Sequence, residues 1–292
     1  MYKHDTGALY VVSTPIGNLD DITVRALRIL RSVSLVAAED TRVTRVLLDR
    51  HGIETPAVSY HAHNAEEKTP LLISRMKEGQ SVALVSDAGT PLVSDPGTIL
   101  VQSTIEAGLP VHPVPGPSAI LASLVVSGLA TDHFFFGGFL PRGAQEIRTR
   151  LESLATLDAT LVFYESPRRI GKTVRIMADT LGDRAAVLCR EMTKMFETVE
   201  RGSLFFFRDE GIPQPEKGEW TILVAEETNS TSSLFSQDLL SCRKALAELL
   251  IPKARQARFM ARLTGMPKAE AYRLLFPNEE PEEQEEQNHG KE

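Results

Sequence analysis

Ala8-Leu-Tyr-Val-Val-Ser-Thr-Pro-Ile-Gly-Asn18 is a short β-rich run that passes straight into a turn of proline, glycine and asparagine, and a helical pattern follows over residues 22–31. The order then returns: strand-like residues 33–38, a helix over 42–50 closed by Gly52, and a strand over 81–86. Strands alternating with helices predict a mostly parallel α/β sheet. Beyond Thr131 the spacing changes. Residues 133–139, 160–164, 185–190, 201–208 and 220–226 read as strands, with helices over 143–157 and 170–181. That mixture predicts a second α/β domain with a mixed sheet, joined to the first at the Pro-rich segment 111–117. The expected body is therefore an N-terminal domain over 1–117 and a second domain over 118–228.

Composition supports an ordinary folded chain. Of 292 residues, 42% are hydrophobic and 24% charged, which excludes disordered, collagenous and disulfide-scaffold classes. The two cysteines, Cys189 and Cys242, have no CxxC spacing, so they read as structural thiols and no metal site is expected. The first apolar run, residues 8–12, is too short for a targeting or membrane segment, and a cytoplasmic protein is expected.

The formal charge of −7 argues at first against a nucleic-acid partner, yet it is unevenly spread. Residues 241–276 carry eight basic side chains against two acidic ones, while residues 277–292 carry seven Glu against Lys291. The basic stretch reads as three helices, over 237–250, 253–264 and 268–276, broken at Ile251-Pro252 and Gly265-Met-Pro267. A helix, a short glycine-containing turn and another helix is a helix-turn-helix pattern, so a basic module is expected over 234–276 and a disordered acidic tail over 277–292.

Three strands of the first domain run into loops of small, turn-forming residues: 13–18, 86–91 and 115–119. In open parallel sheets ligands sit beyond the carboxyl ends of the strands, so these loops predict a cleft. No GxGxxG follows the first strand, and the nearest P-loop match, around residues 168–173, has Ser166 where the leading glycine is required. The loops offer carbonyls, amides and Asp87, a set suited to a zwitterionic, nucleoside-containing ligand without a triphosphate.

Several motifs stand in a specific order: Leu9-Tyr-Val-Val-Ser-Thr-Pro-Ile-Gly-Asn18, Ala38-Glu-Asp-Thr-Arg42, Val85-Ser-Asp-Ala-Gly-Thr-Pro-Leu-Val-Ser-Asp-Pro-Gly97, Val114-Pro-Gly-Pro-Ser-Ala119, Gly138-Phe-Leu-Pro-Arg142, Tyr164-Glu-Ser-Pro-Arg-Arg169 and Cys189-Arg-Glu-Met-Thr-Lys194. In this the chain resembles the ribosomal RNA small subunit methyltransferase I family, which has the tetrapyrrole-methylase fold. The resemblance runs from about Leu9 to Phe276. It implies S-adenosylmethionine-dependent 2′-O-methylation of a decoding-centre cytidine in small-subunit rRNA, by a homodimer whose cofactor lies between the two α/β domains. Cofactor contacts are implied at Pro15, Ile16, Gly17, Asp87, Gly89, Thr90, Pro91, Ser118 and Ala119, with Tyr164, Met192, Trp220 and Thr221 closing from the second domain.

Each position also has a plainer role. Asp87 and Asp95 sit in echoing Ser-Asp-x-Gly-Thr segments; Asp87 is the expected ligand contact and Asp95 a simple turn. Asp40 can cap the helix that follows it. Glu39, Asp40 and Lys194 are the catalytic candidates, and a lysine would need a depressed pKa to act as base. Arg42, Arg142, Arg168 and Arg169, with Lys253, Arg255, Arg258 and Arg262 of the basic module, are the expected RNA contacts. Residues 134–136 and 205–207, all Phe, read as core strands. A small-molecule tetrapyrrole or corrinoid methylase and a ligand-sensing DNA-binding regulator are the alternatives; the basic module weighs against the first and the Gly/Pro loops against the second.

Overall fold

The structure is a computed structural model that describes residues 7–212, 217–227, 253, 256–258 and 268–276. Residues 1–227 form one compact unit and 228–292 another. The first unit holds two five-stranded sheets.

In the first sheet, β1 (Leu9–Val12), β2 (Leu35–Ala38), β3 (Ala57–Ser59), β4 (Val82–Val85) and β5 (Val111–Val114) lie in the order β3-β2-β4-β1-β5. All pairings are parallel. β2 and β4 are apolar and buried at every position, as parallel strands covered on both faces require. Between them run α1 (Val24–Ser32), α2 (Thr41–Arg50), α3 (Ala65–Lys77) and α4 (Thr98–Glu106). Thr23 caps α1 by accepting from the Ala26 N–H, and Asp40 caps α2 by accepting from the Arg42 N–H. β5 falls inside the Pro-rich segment 111–117: Pro113 is tolerated there because β5 is an edge strand.

The second sheet runs β6 (Phe134–Phe139), β7 (Thr160–Glu165), β10 (Trp220–Val224), β8 (Ala185–Arg190) and β9 (Thr198–Ser203). β6 pairs parallel with β7 and the other three pairings are antiparallel, so the sheet is mixed. α6 (Ala144–Glu152) and α7 (Ile170–Leu181) pack on it, and the face of Ile170, Val174 and Met177 meets Phe163, Leu188 and Ile222. Cys189 is a free thiol buried in β8, and burial pushes its pKa up to about 11.

Two sequence expectations change here. The strand expected over 201–208 ends at Ser203, and Phe205, Phe206 and Phe207 belong to a short helix, α8 (Leu204–Asp209). Ser203 Oγ accepts from the Phe206 N–H and Asp183 from the Phe205 N–H, so the polar residues that start the helix override the β preference of the phenylalanines. The helix expected over 143–157 stops at Glu152, where the chain turns through Ser153 to Leu157.

α5 (Ala119–Ser127) joins the two sheets. Its Ile120 and Leu124 pack with Ile16 on one side and with Val162, Val187, Met192 and Leu223 of the second sheet on the other. This apolar seam fixes the loops after β1 and β8 against each other, and the cleft opens beside it.

In the second unit α9 (Lys268–Leu275) matches the last expected helix, and Lys253 and 256–258 are also helical. Lys253 Nζ stands 5.3 Å from the centre of the Phe276 ring, which lies 5.0 Å from that of Tyr272. The helix expected over 237–250, the acidic tail, Arg255, Arg262 and Cys242 lie outside the described residues.

Candidate active site

Parallel pairing brings the ends of β1, β4 and β5 to one edge, and their loops are stitched together there. Thr14 and Gly89 exchange backbone hydrogen bonds at 2.8 and 3.1 Å. Ser13 Oγ and Thr90 Oγ1 lie 2.9 Å apart, and Thr90 Oγ1 donates to the Pro117 carbonyl. All three loops read from the sequence thus form one rim.

Behind that rim lies a chamber of about 330 Å³, in the size range of ligand sites. Ile16, Gly89, Thr90, Ser118 and Ala119 line it from the first sheet's loops, and Tyr164, Met192, Trp220 and Thr221 from the second sheet. A second chamber of about 210 Å³ takes Pro15, Gly17, Asp87 and Lys194, with Val43, Thr44 and Leu47 of α2. The two adjoin at Ile16, Ala88 and Glu219, which line both. Pro91 lines neither.

The carboxylates divide differently from the sequence expectation. Asp87 Oδ1 accepts from the Asp40 N–H at 2.9 Å and the Asp87 N–H donates to Glu39 Oε2 at 3.4 Å, so Asp87 ties the end of β4 to the end of β2. Asp95, expected to be only a turn residue, lines the larger chamber. Burial pushes its pKa up to about 6, with the charges of Glu39 and Asp87 adding and the Ser86 hydroxyl opposing. Burial also raises Glu39 and Asp87. Asp40 is held down to about 2 by its hydrogen bonds with Arg42, whose guanidinium it grips while capping α2. The sequence signal for Asp95 was present in the echo of 86–90 by 94–98.

Burial pulls Lys194 down, but its bonds to Glu191 Oε1 at 2.9 Å and Glu219 Oε2 at 3.0 Å outweigh burial, and its pKa is raised. This corrects its candidacy as a base, because the pair of carboxylates stabilises the ammonium. Arg169 is turned inward: it donates to the Leu140 and Pro141 carbonyls and stands 3.3 Å from the fully buried carboxylate of Glu165. Its expected contact with RNA gives way to this fixed structural role. Arg142, Arg168, Lys253 and Arg258 are exposed, and Arg42 is 90% exposed while paired with Asp40.

Among the described residues, four non-glycine residues have positive φ: Leu92 at 76°, Ser94 at 69°, Glu191 at 52° and Thr193 at 68°. They fall in the two loops that carry Asp95 and Lys194. Strain of this kind collects at functional sites, and here it marks both sides of one cleft.

Fold and cleft together define a methylase of a known class: residues 8–206 match the Tetrapyrrole (Corrin/Porphyrin) Methylases. Solved structures agree on the fold. The chain is similar to cobalt precorrin-4 methyltransferase (TM-score 0.56, 21% identity, 75% of this chain and 94% of that one). It is likewise similar to uroporphyrin-III C-methyl transferase from Thermus thermophilus complexed with S-adenosyl homocysteine (0.53, 22%, 76% and 98%). Much higher identity links it to the ribosomal RNA small subunit methyltransferase I of Mesorhizobium japonicum, 48% over 271 residues, covering 92% of this chain and 91% of that one. That of Pseudomonas aeruginosa is 46% identical over 272 residues, covering 90% and 94%. The chain belongs to the ribosomal RNA small subunit methyltransferase I family and is a methyltransferase.

Proposed function

We propose that this enzyme uses S-adenosylmethionine to methylate the ribose 2′-oxygen of a cytidine in the decoding centre of small-subunit rRNA. The observation that carries the reading is the pair of adjoining chambers, one for a cofactor and one for an acceptor, in a member of this family. The larger chamber suits a nucleoside with a cationic centre. Tyr164 and Trp220 give it aromatic walls, which suit a nucleoside base. Asp95 supplies a carboxylate in surroundings where an unpaired negative charge is costly, which favours a positively charged ligand.

When bound, S-adenosylmethionine supplies a methyl group on a sulfonium for in-line displacement. The chain supplies alignment, which is worth several kcal/mol when the reacting atoms are held in line. The junction at Ile16, Ala88 and Glu219 is where an acceptor oxygen in the smaller chamber faces the larger one. Asp87 lines that smaller chamber with one carboxylate oxygen committed to the Asp40 N–H, leaving the other to accept the hydroxyl proton; burial raises its pKa in the direction a base needs. Arg42, Arg142, Arg168 and the basic segment supply phosphate contacts. The enzyme acts as a cytoplasmic homodimer, and light scattering should return twice the chain mass.

The test is incorporation of labelled S-adenosylmethionine into small ribosomal subunits from a strain lacking the gene, with the labelled nucleotide mapped. A 2′-O-methylcytidine in the decoding centre is expected. Absence of label, or label on a base, overturns the reading.

A further inference from the structure

Three segments converge on Lys194. Its stem crosses Gly17, where a Cβ would fall 2.3 Å from Lys194 Cγ, so only glycine lets the side chain pass over the first loop. Its ammonium is shared by two carboxylates that are held very differently. Glu191 is 20% exposed and also accepts the Glu219 N–H at 2.9 Å, which fixes it twice. Glu219 is 72% exposed, and Lys194 is its carboxylate's hydrogen-bond donor among the described residues. An ion pair that open to solvent is weak and readily exchanged.

The lysine itself is not free to wander. Glu191 and Thr193, just before it in the chain, take left-handed backbone. Thr193 Oγ1 accepts from the Asn18 N–H at 3.2 Å, and the Thr193 N–H donates to Glu197 at 2.6 Å. A positioned cation therefore faces the smaller chamber with one fixed and one exchangeable anion. The exchangeable one, Glu219, stands at the junction of the two chambers.

We propose that Lys194 is a positioning residue for the acceptor: a backbone phosphate beside the target nucleotide replaces Glu219 on the ammonium while Glu191 stays, and the displaced Glu219 clears the junction between the chambers. This rests on the RNA-methylating reading above. The exchange makes no covalent bond and swaps one anion for another. Glu219 also repels any anion that fails to reach Lys194, so the pair admits a phosphate only when the strand is seated.

The experiment measures methylation of small ribosomal subunits by the full-length enzyme at several salt concentrations. Lys194→Met should raise KM for subunits several-fold and lower the slope of log KM against log salt by about one, the signature of one lost phosphate contact. Its cofactor affinity by calorimetry should stay within about twofold. Glu219→Gln removes the competing anion and should lower KM at low salt, with the wild-type slope retained. If Lys194→Met does not fold, the Glu219→Gln result decides. An unchanged slope in Lys194→Met, or a raised KM in Glu219→Gln, overturns the inference and leaves the functional reading standing. A wild-type enzyme that labels no subunits overturns both.

Discussion

The two sheets hold their cleft loops in different ways. At the first sheet's edge each tie uses at least one backbone group: Thr14 with Gly89, the Asp87 carboxylate with the Asp40 N–H, the Asp40 carboxylate on its own helix start. At the second sheet's edge they are side-chain ties, some of them buried. Glu165 accepts from the Ser166 N–H and Thr173 Oγ1 and is ion-paired with Arg169, and Lys194 gathers Glu191 and Glu219. The Thr14–Gly89 tie, backbone on both sides, survives the loss of either side chain. A buried carboxylate with several partners does not.

The largest test of that contrast is Glu165→Ala, which strands Arg169 and Thr173 and should cost about 3 kcal/mol in urea unfolding. A loss no larger than that of a helix cap would erase the difference between the sheets. Next is Asp95→Asn, expected to weaken S-adenosylmethionine binding at least tenfold by calorimetry, about 1.4 kcal/mol, with the fold intact. Because the Asp95 pKa is raised from 3.8 to about 6, its ionisation opposes folding: its own contribution to stability is fully present below its unfolded pKa and is lost as pH rises through about 6. Cofactor affinity runs the other way, rising through pH 6 as the carboxylate ionises, and Asp95→Asn should flatten that profile. In the first sheet, Thr23→Ala removes the α1 cap and should cost about 1 kcal/mol. Smallest is Phe196→Ala: the ring is 68% exposed, and stability should move by less than about 0.5 kcal/mol.

The same contrast decides what could be read beforehand. β1 and β4 show as apolar runs ending in glycine loops, and Ile16, Ala88, Gly89 and Thr90 of those loops line the larger chamber. α3 carries Pro70 in its interior and β5 carries Pro113, so both are hidden from propensity and depend on tertiary context. The family resemblance named Tyr164, Met192, Trp220 and Thr221, which line the larger chamber from the second sheet's side. The partners of Arg169 and Lys194 did not: Glu219 is 25 positions from Lys194, and only the antiparallel pairing of β8 with β10 brings them together. Asp95 reads as a turn because a half-buried carboxylate and an exposed turn look alike in sequence until the opposite wall is known.

Trp220 gives the chamber an optical consequence. It is the chain's one tryptophan, 2% exposed, with the Arg190 guanidinium 5.9 Å from its ring, and it lines the larger chamber. Emission excited at the red edge of the protein spectrum therefore comes from one known wall. Occupancy of that wall can be followed by the intensity and wavelength of native light, in unlabelled protein and in real time.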